Sequence, residues 1–173
     1  SFKSQFQQDT NESLDLLVLS TACHTAINRN IYKLFVEDGW SVTLVIPTET
    51  NFSSGKRCAD SPSTDDPPII FKPLYGGNLR TYRFLGMFEI LDELRPQIIL
   101  IENDPISFMS LEVGKWAKRN RTKIFCISCE NMPLGLFQTV KRRGFKGVLP
   151  ALFKRYFIGR VRSLLDGVFT INN

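Results

Sequence analysis

The chain has a single histidine, His24, and it falls in the run Ser-Thr-Ala-Cys-His-Thr at positions 20 to 25, where an apolar segment gives way to a helical pattern. A histidine there changes charge near neutral pH, and it can serve as a general base or a hydrogen-bond donor. Asn28 and Arg29 follow one turn later; either they hold a hydroxyl or phosphate oxygen, or they face solvent. A second polar group, Glu102, Asn103 and Asp104, closes another apolar run, and a third, Glu130 and Asn131, lies in Cys-Glu-Asn-Met-Pro at 129 to 133. Asp104 stands before Pro105 and has a structural task as a helix N-cap. Glu102 and Asn103 have no such task, and both are read as substrate-binding together with His24, Asn28, Arg29, Asp104, Glu130 and Asn131.

Several common chemistries are excluded. The turn at 20 to 25 has no glycine, so a pyrophosphate could not approach its backbone as in a dinucleotide site. Gly55-Lys56 lacks the earlier glycine and the following Ser or Thr of a phosphate-binding P-loop. No Gly-x-Ser-x-Gly elbow follows any apolar run. Cys126 and Cys129 form a lone CxxC inside a strand-like segment, where residues three apart point to opposite faces, which disfavours a zinc or redox pair. No metal is expected, and no catalytic residue stands out.

These polar groups are positioned by an alternation of apolar runs and helical periods. Asp15 to Ser20 reads as a strand buried on both faces. A helix is expected next, with Thr25 as N-cap, Ile27, Ile31, Leu34 and Phe35 as its buried stripe, and Asp38-Gly39 as its stop. The second strand ends at Pro47, and residues 48 to 68 read as a long polar loop without period. Ile69 to Leu74 is a third strand, and 79 to 94 a helix with Leu85, Phe88 and Leu91 on one face. Gln97 to Glu102 is a fourth strand, followed by a helix starting at Asp104-Pro105 with Met109, Val113, Trp116 and Ala117 buried. Thr122 to Cys129 is a fifth strand. A last helix from about Pro150 carries Leu149, Leu152, Phe153, Tyr156, Phe157, Val161, Leu164 and Leu165 on one side, before a sixth strand at 168 to 172.

Six strands alternating with helices predict an α/β fold, a doubly wound Rossmann-like parallel sheet with helices on both faces. Strand order 3-2-1-4-5-6 places the binding crevice at the carboxyl ends of the first and fourth strands. Residues 1–13 are polar and are expected to be a flexible segment ahead of a single domain at 14–173.

The order of pieces resembles the N-terminal half of a GT-B fold glycosyltransferase of the retaining family 4. The resemblance rests on Leu-Asp-Leu-Leu-Val-Leu-Ser leading into a helix that ends Glu-Asp-Gly-Trp-Ser-Val-Thr-Leu-Val-Ile-Pro, on Arg-Pro-Gln-Ile-Ile-Leu-Ile-Glu-Asn-Asp, on Cys-Glu-Asn-Met-Pro, and on the closing Leu-Leu-Asp-Gly-Val-Phe-Thr-Ile-Asn-Asn. It implies the acceptor-binding half of a two-domain enzyme that moves sugar to a glycan or lipid-linked acceptor. It also implies that a C-terminal domain absent here holds the nucleotide-sugar donor, so that this half binds no cofactor and is inactive alone. The sequence departs from the family in lacking glycines after the first strand and a histidine after the fourth. The alternative is a complete, non-catalytic Rossmann-like binding or regulatory domain.

Charge is unevenly distributed. Residues 115 to 162 hold thirteen Lys or Arg and one acid, Glu130, within a chain of net charge +5. Lys141, Arg142, Arg143 and Lys146, followed by an amphipathic helix, fit contact with an anionic membrane surface, or else solvated charge over a helix packed on the sheet. No nucleic-acid module accompanies them. No apolar run approaches the ~20 residues of a membrane span and no signal peptide is evident, so the expected location is cytoplasmic, with peripheral attachment to the membrane's inner face as the second reading.

Overall fold

Leu16, Leu17, Val18 and Leu19 are all buried, as they must be in a strand covered on both faces. The computed structural model describes residues 14–52, 55–76, 81–102, 105–128 and 148–170. The N-terminal segment 1–13, and with it the expectation of its flexibility, lies outside them.

The main sheet is parallel and six-stranded. Its centre is β1 (Leu16–Ser20), flanked by β2 (Val42–Pro47) and then β5 (Ile69–Lys72) on one side. On the other side come β8 (Ile98–Glu102), β9 (Lys123–Ser128) and β10 (Gly167–Thr170). Numbering only these six strands, the order is the expected 3-2-1-4-5-6, and the fold is a Rossmann-like α/β sheet. Two small antiparallel pairs accompany it: β3 (Glu49–Phe52) with β4 (Gly55–Cys58), and β6 (Leu74–Tyr75) with β7 (Arg83–Phe84). The first lies in the stretch read as an unstructured loop; its short alternating segments carry too little apolar signal to show a period.

Two apolar layers sandwich the sheet. On one face Leu17, Leu19, Ile99, Ile101 and Ile124 meet α2 (Met87–Leu94) and α3 (Phe108–Asn120) through Ile90, Leu91, Met109, Val113, Trp116 and Ala117. On the other, Leu16, Val18, Leu44 and Ile46 meet Tyr32 of α1 (Asn30–Glu37), with Trp40 after it. Strand alternation separates the two sets.

Four helix expectations need correction. Ile27, Ile31 and Leu34 are exposed, at 72%, 55% and 61%. Two 3-10 turns, Ala22–His24 and Ala26–Arg29, precede α1 and shift its phase, so of the expected stripe only Phe35 packs on the core, edge-on to Trp40 at 5.8 Å, and Tyr32 joins it. Thr25 makes no capping bond. The second helix starts only at Met87, after Gly86 in left-handed geometry (φ 70°); Tyr82 and Phe84 enter the core from extended chain, which leaves Leu85 and Phe88 exposed. The third starts at Phe108, capped by Ser107, whose hydroxyl accepts from the Ser110 amide at 3.1 Å, so Asp104 is not its cap. In the last helix, α4 (Val148–Arg162), Phe157 and Val161 are buried while Leu152 and Tyr156 are exposed. Among the described residues no helix is long and apolar enough to cross a membrane.

Candidate functional site

The order of the sheet reverses between β1 and β8, and Ser20 and Glu102 stand side by side at the carboxyl ends of these strands. The turn leaving Ser20 is where a phosphate loop would lie, but the amides of Ala22, Cys23, Thr25, Ala26 and Asn28 are already engaged. The Ser20 hydroxyl oxygen accepts from the amides of Ala22 (3.1 Å) and Cys23 (2.9 Å). The Thr25 and Asn28 amides donate to the carbonyls of Ala22 and Thr25, and the Ala26 amide to Asp60 Oδ2 at 2.8 Å. Ser20 thus does with a hydroxyl what glycine-rich loops leave to a bound anion.

Cys23 follows, fully buried, with its thiol 3.3 Å from Glu102 Oε2 and 3.5 Å from the Asn28 carbonyl. Burial, and then the neighbouring Glu102 carboxylate, push the thiol up to about 12. A thiol so protonated is a hydrogen-bond donor and not a nucleophile. Tyr32 approaches the same carboxylate from α1, and its hydroxyl is also held protonated, by burial first and then by the Glu102 charge. Glu102, half-buried, is held by the Cys23 thiol and lies beside the Tyr32 hydroxyl.

His24 is half-buried. Its Nδ1 lies 2.7 Å from the Thr21 carbonyl, which can only accept, so Nδ1 carries the proton. Nε2 lies 3.5 Å from the Thr25 hydroxyl. Asn28 is exposed and donates to the Ala22 carbonyl at 2.8 Å.

Arg29 differs from both readings of the sequence, since it neither faces solvent nor offers a free donor. Its side chain is fully buried and all five N–H groups are engaged. Nε donates to the Cys23 carbonyl (2.8 Å), and the two terminal nitrogens to the carbonyls of His24 (3.2 Å), Asp60 (2.7 Å) and Ser61 (3.3 Å) and to Asp66 Oδ2 (3.0 Å). Arg29 thereby clamps residues 60–66 across the turn as a strap. Asp66, with a side chain only 2% exposed, also pairs with Lys33 at 3.4 Å. Burial alone would raise the Asp66 carboxyl, but bonds from the Ser63 amide, Arg29 and Lys33 outweigh it and hold it below the usual carboxylate range.

The structure thus gathers His24, Asn28, Arg29 and Glu102 around one turn. Asn103, Asp104, Glu130, Asn131, Lys141, Arg142, Arg143 and Lys146 lie outside the described residues. Sequence reasoning missed Cys23 and Tyr32 as the partners of Glu102, and Asp60 and Asp66 as those of Arg29. The aspartates of the 48–68 loop were the available signal, because a buried guanidinium requires a carboxylate. Among the described residues no group of three His, Cys, Asp or Glu side chains could hold a metal ion.

No family model matches the chain, and no curated protein matches it. A solved structure that does match is the pyrazinamidase of Pyrococcus horikoshii in complex with zinc, at 12% identity and TM-score 0.42, covering 94% of this chain and all of the other. So low a likeness says nothing of this chain's own activity. The expectation of family 4 membership and glycosyltransferase activity is corrected to this extent: the comparisons return a pyrazinamidase structure and no glycosyltransferase, and the expectation is not retained.

Proposed function

We propose that this chain is a Rossmann-like binding domain whose ligand sits at the carboxyl ends of β1 and β8 and is a small neutral or cationic molecule bearing hydroxyl or ammonium donors. One observation carries this reading. The amides of Ala22, Cys23, Thr25 and Ala26, at the place where a phosphate would be cradled, are already engaged, while the neighbouring Glu102 presents a carboxylate held by the Cys23 thiol. Such a site attracts donors and repels anions. The protonated Cys23 favours binding over nucleophilic catalysis.

The test is calorimetric titration of the chain with monosaccharides, free amino acids and a diamine, against inorganic phosphate and ADP. Members of the first set are expected to bind. Glu102→Gln is expected to weaken them by about tenfold or more, because hydrogen bonds to a charged group contribute ~1.5–3 kcal/mol. Saturable binding of phosphate or ADP that is indifferent to Glu102→Gln would overturn the reading.

A further inference from the structure

Helix α4 contains Lys154, Arg155, Arg160 and Arg162 and no acidic residue. It is anchored by Val161 and by Phe157, which packs edge-on against Phe108 at 5.8 Å. The opposite side carries apolar groups that the fold leaves in solvent: Leu152 is 46% and Tyr156 66% exposed. Arg155, Arg160 and Arg162 are exposed as well, and the Arg160 guanidinium lies 6.0 Å from the centre of the Tyr156 ring. Positions 152, 156, 159/160 and 163 recur at helical spacing, so Leu152, Tyr156, Arg160 and Ser163 form one stripe. Ser163 also borders a cavity of about 300 Å³ whose other walls include the exposed cations Lys118 and Arg121. Asp166, the one acid on that cavity, is paired with Lys123 at 2.9 Å.

From this geometry we infer that the exposed side of α4 docks on an anionic lipid bilayer. Leu152 and the Tyr156 ring enter the boundary between headgroups and acyl chains, Arg155, Arg160 and Arg162 meet lipid phosphates, and the cavity beside Ser163 receives a headgroup between Lys118 and Arg121. Charge complementarity selects the partner. Cations alone would suit any polyanion, but the interleaved exposed leucine has no stacking face for a nucleobase and gains by leaving water for lipid. The assignment is independent of the ligand proposed for the crevice, since α4 and Glu102 belong to separate surfaces and are varied separately below.

The experiment is co-sedimentation of the full chain with vesicles of phosphatidylglycerol and phosphatidylcholine, and with vesicles of phosphatidylcholine alone. Binding is expected only to the anionic vesicles and is expected to fall with added salt. Arg155→Glu with Arg160→Glu should weaken it at least about tenfold, given the contribution of each basic residue near an anionic surface. Leu152→Ser with Tyr156→Ser should weaken it while leaving its salt dependence, and Glu102→Gln should leave it unchanged. All of these side chains are exposed except that of Glu102, and circular dichroism confirms folding of each variant. Equal binding to neutral vesicles overturns the proposal, as does a double arginine variant that binds like the unchanged chain. So does displacement of vesicles by single-stranded RNA at lower concentration than lipid, or loss of binding caused only by reversing Lys141, Arg142 and Arg143.

Discussion

Replacing Arg29 by Met tests whether the turn at the switch point is held by its clamp. The change keeps side-chain length and burial but removes all five donors. It removes the Arg29 donors from the carbonyls of Cys23, Asp60 and Ser61, leaves the His24 carbonyl with the Asp60 amide at 2.8 Å, and leaves Asp66 buried with Lys33 as its remaining cation. Breaking a buried ion pair by removing one partner costs about 3–5 kcal/mol. For a chain of this size that corresponds to a fall in melting temperature of about 6–20 °C. Arg29→Lys, with three donors for five acceptors, should lie between. Urea and thermal unfolding at neutral pH read both variants, and combining Arg29→Met with Asp66→Asn in a double-mutant cycle isolates the pair. The folded-state value for Asp66 lies below the unfolded one, so its contribution is present above the unfolded value, near about 4, and is lost as pH falls through the folded value. Asp66→Asn should therefore be less stable than the unchanged chain at neutral pH and should lose less stability on acidification. If Arg29→Met melts within about 2 °C of the unchanged chain, or the two substitutions simply add, the clamp is not what holds the turn.

Alkylation at neutral pH followed by mass spectrometry should label exposed Cys58 and spare the buried thiols Cys23 and Cys126, and rapid modification of Cys23 would contradict its protonated state. A Cβ placed on Gly114 would meet Leu164 Cβ at 3.0 Å, so Gly114→Ala should cost about 1–3 kcal/mol in urea unfolding by overpacking, and Leu164→Ala, which keeps that Cβ, should not rescue it. Asp166 accepts from the Ile124 amide and from Lys123, both at 2.9 Å, and these bonds, outweighing burial, hold its carboxyl below the usual range. Its contribution is thus present above the unfolded value and lost as pH falls through the folded one, so Asp166→Asn should lower neutral-pH stability by ~1 kcal/mol and flatten the acid limb of the unfolding curve.

The sheet was legible because its strands are unbroken apolar runs: Leu16–Leu19 and Val42–Ile46 admit no other placement, and Pro96 and Asp38-Gly39 end helices where expected. Helix phase was less legible. The stripe Ile27, Ile31 and Leu34 satisfies a period of 3.6 residues as well as any core face, but the 3-10 turns preceding α1 and the bonds of Arg29 rotate it outward. The switch point and Glu102 follow from strand order alone. The neighbours of Glu102 do not, because Cys23 is 79 residues away in the chain and Tyr32 reads as an ordinary helical aromatic. Arg29 was misplaced for a related reason: its partners Asp60 and Asp66 sit 31 and 37 residues on, in a segment without period.

The strap clamped by Arg29 has a further consequence for how the molecule opens. The base of α1 and residues 60–66 are joined by directional bonds between polar groups, whereas β1 and β8 are joined by a ladder inside the apolar layers. Amide hydrogen exchange should report this as two separate cooperative units: the strap and the start of α1 exchange together at a common rate, well ahead of the central strands. Release of that unit would free the carbonyls of Cys23 and Asp60 that Arg29 holds, so the conformation of the turn and the loss of the clamp become one thermodynamic event.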